Sequence, residues 1–134
     1  MIVSREQQLG IREEVDVVHV RREVRRWAEE LRFSLVDQTK IVTAASELAR
    51  NTIIYGGGGA VKLRLVSNGH HTGLQLVFED QGPGIPDISL ALQDGYTTGS
   101  GLGLGLGGAK RLVSEFSIES KPGEGTRVVA TRWR

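Results

Sequence analysis

The sequence predicts an α+β fold, a two-layer α/β sandwich with helices on one face of a mostly antiparallel sheet. Three observations predict it: two amphipathic helical patterns early in the chain, strand-like alternation in later segments, and a length of 134 residues. Helices and sheets each bury one apolar face, and packing those faces together gives two layers. A chain of this length has room for one core, so we expect residues 1–134 to form a single domain.

The first predicted elements are a short strand over residues 8–14 and a helix that begins at residue 16. The helix is predicted from apolar residues spaced by three and four: Val17, Val20, Val24, Trp27 and Leu31. Asp16 belongs to the residue types that cap helix N-termini. The opposite face carries side chains that we expect in solvent: Arg21, Arg22, Arg25, Arg26, Glu29 and Glu30.

A second helix is predicted from residue 37 to about residue 55, with Asp37 as its cap. Its core-facing positions also follow helical spacing: Ile41, Ala44, Ala45, Leu48 and Ala49. Four glycines follow at residues 56–59. Glycine readily adopts the left-handed conformation that follows many helix ends, so this run is interpreted as the stop of the helix.

The middle of the chain predicts a β-hairpin. Residues 60–67 and 74–78 place apolar side chains at every second position: Val61, Leu63, Leu65, then Leu74, Leu76 and Phe78. Such alternation is typical of antiparallel strands with one buried face. Residues 67–73 form the connection between them.

The last part of the chain predicts two helices and a second hairpin. A short helix is predicted over residues 88–93, and a longer one from about residue 105 to residue 115. The final strands span residues 117–120 and 127–133. The turn Lys121-Pro-Gly-Glu-Gly125 joins them, because proline and glycine favour turns.

Composition excludes several classes of function. The 17 Lys and Arg nearly balance 16 Asp and Glu, and a net charge of +1 argues against a nucleic-acid or membrane partner. The chain has no cysteine, so disulfides, thiol nucleophiles and thiolate metal sites are excluded. We see neither a signal peptide nor an apolar segment of membrane-spanning length, and therefore expect a cytoplasmic protein.

The predicted second helix carries a carboxylate and a carboxamide four residues apart, Glu47 and Asn51. That spacing places both side chains on one face of a helix. Their oxygen atoms suit Mg²⁺ or a water molecule. The plain alternative is two polar residues on a solvated helix face.

The segment Asp80-Gln-Gly-Pro-Gly84 follows the strand that ends near Phe78. A carboxylate at a strand end is a fixed hydrogen-bond acceptor, and glycines let a ligand approach the backbone closely. This aspartate is therefore suited to accept a hydrogen bond from an exocyclic amine. The alternative interpretation is an ordinary turn.

A glycine-rich stretch, residues 99–108, precedes the predicted third helix. Exposed backbone N–H groups and a helix N-terminus together suit phosphate. Residues 103–108 match G-x-G-x-x-G, but no strand precedes them as a dinucleotide-binding fold requires. A Walker loop is excluded, because Ala109 precedes Lys110 and Arg111 follows it.

Taken in this order, the three motifs resemble the N, G1 and G2 boxes of the GHKL ATPase superfamily. Gly123-Glu-Gly-Thr126 resembles its closing Gly-x-Gly-Thr element. Within the superfamily, the segments 47–51, 79–87 and 94–99 are similar to the RsbT family of switch-protein serine kinases. That family phosphorylates a serine on a STAS-domain antagonist protein. The resemblance implies the Bergerat ATP-binding fold for nearly the whole chain.

The resemblance also implies a role for each matching residue. Asp80 would bind the adenine amine, and Thr126 would help through a water. Asn51 would hold Mg²⁺, and Glu47 would act as base toward the attacking hydroxyl. Glycines would shape the pocket floor or present N–H groups to the phosphates of ATP: Gly82, Gly84, Gly99, Gly101, Gly103 and Gly105. A lid over residues 87–101 would cover the nucleotide.

The implied function is an ATP- and Mg²⁺-dependent protein serine kinase in a bacterial partner-switching cascade of sigma-factor and stress signalling. Its substrate would be a STAS-domain antagonist protein, and it would also bind and activate a PP2C-type phosphatase, for which the charged face of residues 21–32 is a candidate surface. RsbW-type anti-sigma factors use the same pocket, so sequestration of a sigma factor is the alternative. A sensor histidine kinase or a gyrase-type ATPase would need further domains.

Overall fold

The computed structural model describes residues 1–85, 88, 92 and 105–134, and within them five strands form one antiparallel sheet. The strands are β1 (Ile2–Ile11), β2 (Gly59–Ser67), β3 (Thr72–Asp80), β4 (Glu115–Ser120) and β5 (Thr126–Trp133). Their order across the sheet is β1-β2-β3-β5-β4, which makes β3 the central strand. The helices in this part of the chain are α1 (Glu14–Glu30), α2 (Leu35–Ile54) and α3 (Gly105–Arg111).

The core lies between one face of this sheet and the helices, which confirms the predicted two-layer α+β fold. The sheet contributes alternate residues of its central strands: Val61, Leu63, Leu74, Leu76, Phe78, Val128 and Ala130. The predicted apolar positions of both long helices are buried with them, apart from Leu31, which is half-buried. Helix α2 is covered on most sides, because it packs against α1, α3 and the sheet.

Both long helices begin earlier than predicted. Their N-cap residues are Glu13 and Ser34, so the expectation that Asp16 and Asp37 are the caps is wrong. Asp16 is the third helical residue, where its carboxylate accepts hydrogen bonds from the backbone N–H groups of Arg12 (2.8 Å) and Glu13 (3.0 Å). These bonds lower the pKa of Asp16. Asp37 lies at the equivalent place in α2, where its own N–H donates to the Ser34 hydroxyl.

The Asp37 carboxylate joins α2 to the sheet. It accepts a hydrogen bond of 2.6 Å from Nη2 of Arg132 on β5, and this contact lowers the pKa of Asp37. Nη1 of Arg132 donates to the carbonyl oxygen of Leu112 (3.0 Å). One guanidinium therefore connects the last strand, the start of α2 and the segment after α3.

Strand β1 differs most from its prediction. It spans Ile2–Ile11 rather than residues 8–14, and residue 14 already belongs to α1. It forms an edge of the sheet, antiparallel to β2. Residues 5, 7 and 9 share its helix-facing side, yet two of them are polar, Arg5 and Gln7. The usual apolar alternation of a half-buried strand is therefore hidden.

These polar side chains form what we call the polar seam, made of Arg5, Gln7, Glu23, Trp27 and Glu30. Gln7 donates to Glu23 (2.8 Å) and accepts from the indole N–H of Trp27 (2.8 Å). The Arg5 guanidinium lies 4.2 Å from the centre of the Trp27 ring and donates to Glu30. The seam thus attaches the edge strand to α1.

The C-terminal elements also correct the prediction. Helix α3 ends at Arg111 rather than at residue 115, and Glu115 already begins β4. The change occurs because the Ser114 N–H donates to the carbonyl oxygen of Thr131 (2.8 Å), which brings the chain onto β5. The predicted hairpins are confirmed, and each strand is one to four residues longer than expected.

The predicted short helix at 88–93 and the lid at 87–101 lie almost entirely outside the described residues. Within the described part of the chain, none of the helices combines the length and the apolar character that crossing a bilayer requires.

Candidate functional site

Helix α2 carries the acidic residue and the amide that the sequence singled out. Glu47 is 5% exposed, although carboxylates are rarely buried, and Asn51 is half-buried one turn later. Oε1 of Glu47 lies 3.2 Å from Nη1 of Arg50, an ion pair within the same helix. In the described part of the chain, the side-chain amide of Asn51 makes no hydrogen bond. The alternative of two solvated polar residues does not describe Glu47.

Asp80 is the last residue of the central strand. One oxygen of its carboxylate, Oδ1, accepts a hydrogen bond of 2.9 Å from the backbone N–H of Gly82. In the sheet register Asp80 lies opposite Thr126 on one side and Gly59 on the other. Its main chain is therefore held between two neighbouring strands, and its side chain is only partly exposed.

Three segments meet around Asp80, and we call them together the glycine edge: residues 56–59, 80–85 and 121–126. A Cβ on Gly56 would lie 2.6 Å from Oδ2 of Asp80, and one on Gly82 would lie 2.6 Å from the Cα of Gly56. A Cβ on Gly125 would overlap the carbonyl oxygen of Asp80. The backbones approach more closely here than any side chain would permit.

Hydroxyl groups close the other side of the glycine edge. Oγ of Ser120 lies 2.8 Å from Oγ1 of Thr126 and accepts a hydrogen bond of 2.7 Å from the N–H of Ile85. It also lies 3.1 Å from the carbonyl oxygen of Gly125, to which it donates. Ser120 thus holds the segment after Asp80 against the strand that starts at Thr126.

A cavity of about 650 Å³ opens beside the glycine edge. Its lining includes residues 56–59 and the side of the sheet turned away from the helices, with Lys62, Val77 and Glu79. Glu47 and Asn51 do not line this cavity.

The structure brings together four of the predicted site positions at the glycine edge: Asp80, Gly82, Gly84 and Thr126. Glu47 and Asn51 lie on the helix that ends at this edge. Gly105 is the buried first residue of α3, with a φ of 59°. The predicted phosphate-binding positions Gly99, Gly101 and Gly103 lie outside the described residues.

Three residues contact the predicted site residues but were not predicted from the sequence: Gly56, Ser120 and Arg50. The glycine run was interpreted as a helix stop, and this is correct for Gly57 and Gly58, whose φ values are 72° and 109°. Gly56 differs, because its φ is not in the left-handed region and the space it leaves is filled by Asp80. In the sequence, Gly56 is recognisable as the first glycine after the predicted helix. No local sequence pattern shows that it lies against the side chain of Asp80.

Comparison with known proteins identifies the family. Residues 36–133 match the family of histidine kinase-, DNA gyrase B- and HSP90-like ATPases. The chain belongs to this family. The match confirms the predicted GHKL resemblance. It covers the described elements from α2 to β5.

Two relatives and one solved structure sharpen this assignment. The chain is 49% identical to the serine/threonine-protein kinase RsbT of Bacillus subtilis (strain 168) over 120 residues, 90% of each chain. It is 33% identical to an anti-sigma F factor of Clostridium kluyveri over 102 residues, which cover 72% of this chain and 70% of that one. The prediction of a GHKL protein kinase similar to RsbT is confirmed.

The solved structure is that of the RsbU and RsbW domains of Rv1364c from Mycobacterium tuberculosis. It superposes with a TM-score of 0.66 at 24% identity, over 97% of this chain and 33% of that one. This GHKL-type chain therefore spans about a third of that protein chain. At this identity the match supports the fold.

Proposed function

We propose that this protein is an ATP-dependent serine kinase that phosphorylates a STAS-domain antagonist protein in a bacterial partner-switching cascade. The observation that carries the proposal is Glu47, a carboxylate buried on α2 one turn before Asn51. Burying a carboxylate is unfavourable, and buried ionisable groups are concentrated at functional sites. The similarity to the kinase RsbT supports the same assignment.

In this proposal ATP binds between α2 and the glycine edge. The Asp80 carboxylate accepts a hydrogen bond from the exocyclic amine of adenine, with Thr126 beside it on the neighbouring strand. Gly82 and Gly84 keep this end of the site free of side chains. Gly99, Gly101, Gly103 and Gly105 present N–H groups to the phosphates.

Glu47 accepts the proton of the substrate hydroxyl as its oxygen attacks the γ-phosphorus, and ADP leaves. The ion pair with Arg50 holds the carboxylate in place before the substrate arrives. Phosphoryl transfer needs positioning and charge neutralisation more than covalent chemistry from the protein, so the base and the backbone donors supply most of what the protein itself must contribute.

The donor atoms also fit Mg²⁺. Asn51 offers an amide oxygen whose side chain has no other partner within the described residues. Mg²⁺ in kinases typically takes one or two protein oxygens and fills its other positions with phosphate oxygens and water. When bound, the ion neutralises charge on the phosphates.

The test is transfer of labelled γ-phosphate from ATP to a STAS-domain protein encoded by the same genome. We expect Glu47→Ala to reduce the rate by about 100-fold or more, because general-base catalysis contributes roughly that factor. Lys110→Ala, at an exposed position on α3, is the matched control and should retain activity. Transfer that persists unchanged in Glu47→Ala would contradict the assigned base.

A second candidate is an anti-sigma factor that sequesters a sigma factor and phosphorylates its anti-anti-sigma factor. The similarity to anti-sigma F factors favours it, at 33% identity over 72% of this chain. Co-purification decides between the two, because the kinase of the first proposal should retain a PP2C-type phosphatase, whereas the second should retain a sigma factor. The exposed arginines of residues 21–32 are our candidate surface for that phosphatase.

A further inference from the structure

The glycine run at residues 56–59 has separate tasks at successive positions. Gly57 and Gly58 have positive φ values, which explains why they are glycine. A Cβ on Gly59 would overlap the carbonyl oxygen of Glu79 on the adjacent strand. Gly56 has neither feature, since its φ would suit any residue and no backbone atom is among its nearest neighbours.

What a side chain at position 56 would meet is the Asp80 carboxyl group. The three atoms nearest to a Cβ built on Gly56 are Cγ, Cβ and Oδ2 of Asp80, with Oδ2 at 2.6 Å. A real Cβ atom does not approach non-bonded atoms that closely, so one partner must move. The Asp80 main chain cannot move easily, because it is paired with Gly59 and Thr126 in the sheet.

The two oxygens of this carboxylate are not equivalent. Oδ1 already accepts the hydrogen bond from the Gly82 N–H, at 2.9 Å. Oδ2 is the oxygen that faces Gly56, and it has no hydrogen-bond donor among the described residues. Gly82 also packs on the Cα of Gly56. Gly56 therefore lies against both Asp80 and Gly82, the two residues joined by this hydrogen bond.

We propose that Gly56 is a positioning residue: by lacking a side chain, it leaves the Asp80 carboxylate in the one orientation that keeps Oδ2 free for the exocyclic amine of adenine. The inference rests on the proposed nucleotide site. A methyl group at position 56 overlaps Cβ of Asp80 as well as its carboxyl group, so rotation of the carboxylate alone does not relieve the contact. The turn at residue 56 and the Asp80 side chain are therefore displaced together, which breaks the hydrogen bond from the Gly82 N–H and moves Oδ2. Gly56 therefore determines the preference for a 6-aminopurine over a 6-oxopurine, which presents a carbonyl oxygen to the same carboxylate.

The experiment compares the equilibrium binding of ATP and of inosine triphosphate, the 6-oxo analogue, to the full chain. We expect the wild-type protein to prefer ATP. Gly56→Ala should weaken ATP binding by roughly 10- to 100-fold, the value of one charge-assisted hydrogen bond, and change binding of the inosine nucleotide by less than about threefold. Gly10→Ala is the matched control, because a Cβ there meets nothing within 4 Å.

A double variant separates positioning from general damage. In Asp80→Gly the contacted atoms are absent, so adding Gly56→Ala should change ATP affinity by less than about twofold. If Gly56→Ala alone does not fold, the double variant should fold, and its failure to do so would overturn the inference.

The outcomes distinguish this inference from the proposed function. A Gly56→Ala protein that keeps the wild-type ratio of ATP to inosine nucleotide affinity overturns the role of Gly56 alone. A wild-type protein that binds both nucleotides equally overturns the assignment of Asp80 to adenine, and the role of Gly56 with it.

Discussion

The glycine edge and the polar seam both join elements that are distant in the sequence, but they do so in opposite ways. At the glycine edge, backbones touch because side chains are missing, as where Gly125 lies against the carbonyl oxygen of Asp80. At the polar seam, long side chains bridge β1 and α1, as where Gln7 connects Glu23 to Trp27. The glycine edge depends on close backbone contacts that only glycine permits, whereas the polar seam depends on hydrogen bonds between side chains.

The two regions should therefore respond differently to substitution. Backbone packing has no flexible part that can yield, so an added methyl group should be costly at the glycine edge. The seam contains rotatable and partly exposed side chains, so substitutions there should reduce the free energy of unfolding by smaller amounts. These reductions should also depend on pH. We also expect substitutions at the edge to affect nucleotide binding and those at the seam to affect mainly the free energy of unfolding.

The largest effect is expected at the glycine edge, from Gly125→Ala. The substitution places a Cβ on the carbonyl oxygen of Asp80 and also puts alanine at a φ of 81°. Left-handed backbone costs roughly 1–2 kcal/mol, and overpacking adds roughly 1–3 kcal/mol. We therefore expect the free energy of unfolding to fall by about 3 kcal/mol or more, measured by denaturant titration.

Gly123→Ala is the control for that experiment. Gly123 has the same φ of 81°, but a Cβ there would meet nothing within 4 Å. It should cost only the backbone term, about 1 kcal/mol. Equal losses in the two variants would show that close backbone packing at Asp80 is unimportant.

An intermediate effect is expected at the polar seam, from Trp27→Phe. Trp27 is 1% exposed, and the change removes both its N–H bond to Gln7 and part of the ring beneath Arg5. We expect the free energy of unfolding to fall by roughly 2 kcal/mol, from lost packing and one lost hydrogen bond. ATP affinity should stay within about twofold of wild type, and a larger loss would break the distinction between the two regions.

The smallest effect is expected from Glu23→Gln, and it should depend on pH. A hydrogen bond from Arg26, which has the larger effect, and one from Gln7 lower the pKa of Glu23 from 4.5 to about 2. Since the carboxylate form is favoured in the folded state, its stabilising contribution is complete above pH 4.5 and is lost as pH falls toward 2. Thermal unfolding of wild type and variant should differ by less than about 1 kcal/mol at pH 7 and converge at acid pH. A difference that is constant across this range would rule out the titration of Glu23 as its origin.

The interiors of the elements could be predicted better than their ends. Helical spacing located the buried residues of α1 and α2 correctly, because a repeated pattern averages over many positions. The N-caps were misplaced by three residues in both helices, from Glu13 to Asp16 and from Ser34 to Asp37. Acidic residues are favoured at the cap and also in the first turn, so residue type alone does not fix the boundary.

Strand β1 was predicted poorly for a different reason. Its partner is β2, whose nearest paired residue, Gly59, is 48 positions from Ile11. Its helix-facing side carries Arg5 and Gln7, so the alternation that identifies strands is absent. Only the partners of these residues on α1 explain why polar side chains occupy this face of the strand.

The motifs of the candidate site could be identified in the sequence, but the packing around them could not. Glu47, Asn51 and Asp80 stand out by residue type and motif, and their roles remain a prediction. The contact between Gly56 and Asp80 joins residues 24 positions apart, and the bond between Ser120 and Ile85 joins residues 35 apart. Such contacts arise from tertiary structure, which no local pattern encodes.

The register between Asp80 and Thr126 has a consequence for synthesis of the protein. The central strand ends at Asp80, but its neighbour β5 is the last strand of the described sheet and lies 46 positions further along the chain. Pairing across such a separation forms slowly and only after both strands exist. On the ribosome, the hairpin of β2 and β3 can therefore form first, while the adenine end of the proposed site stays incomplete until β5 has emerged. Partly synthesised chains should consequently be unable to compete with finished molecules for nucleotide.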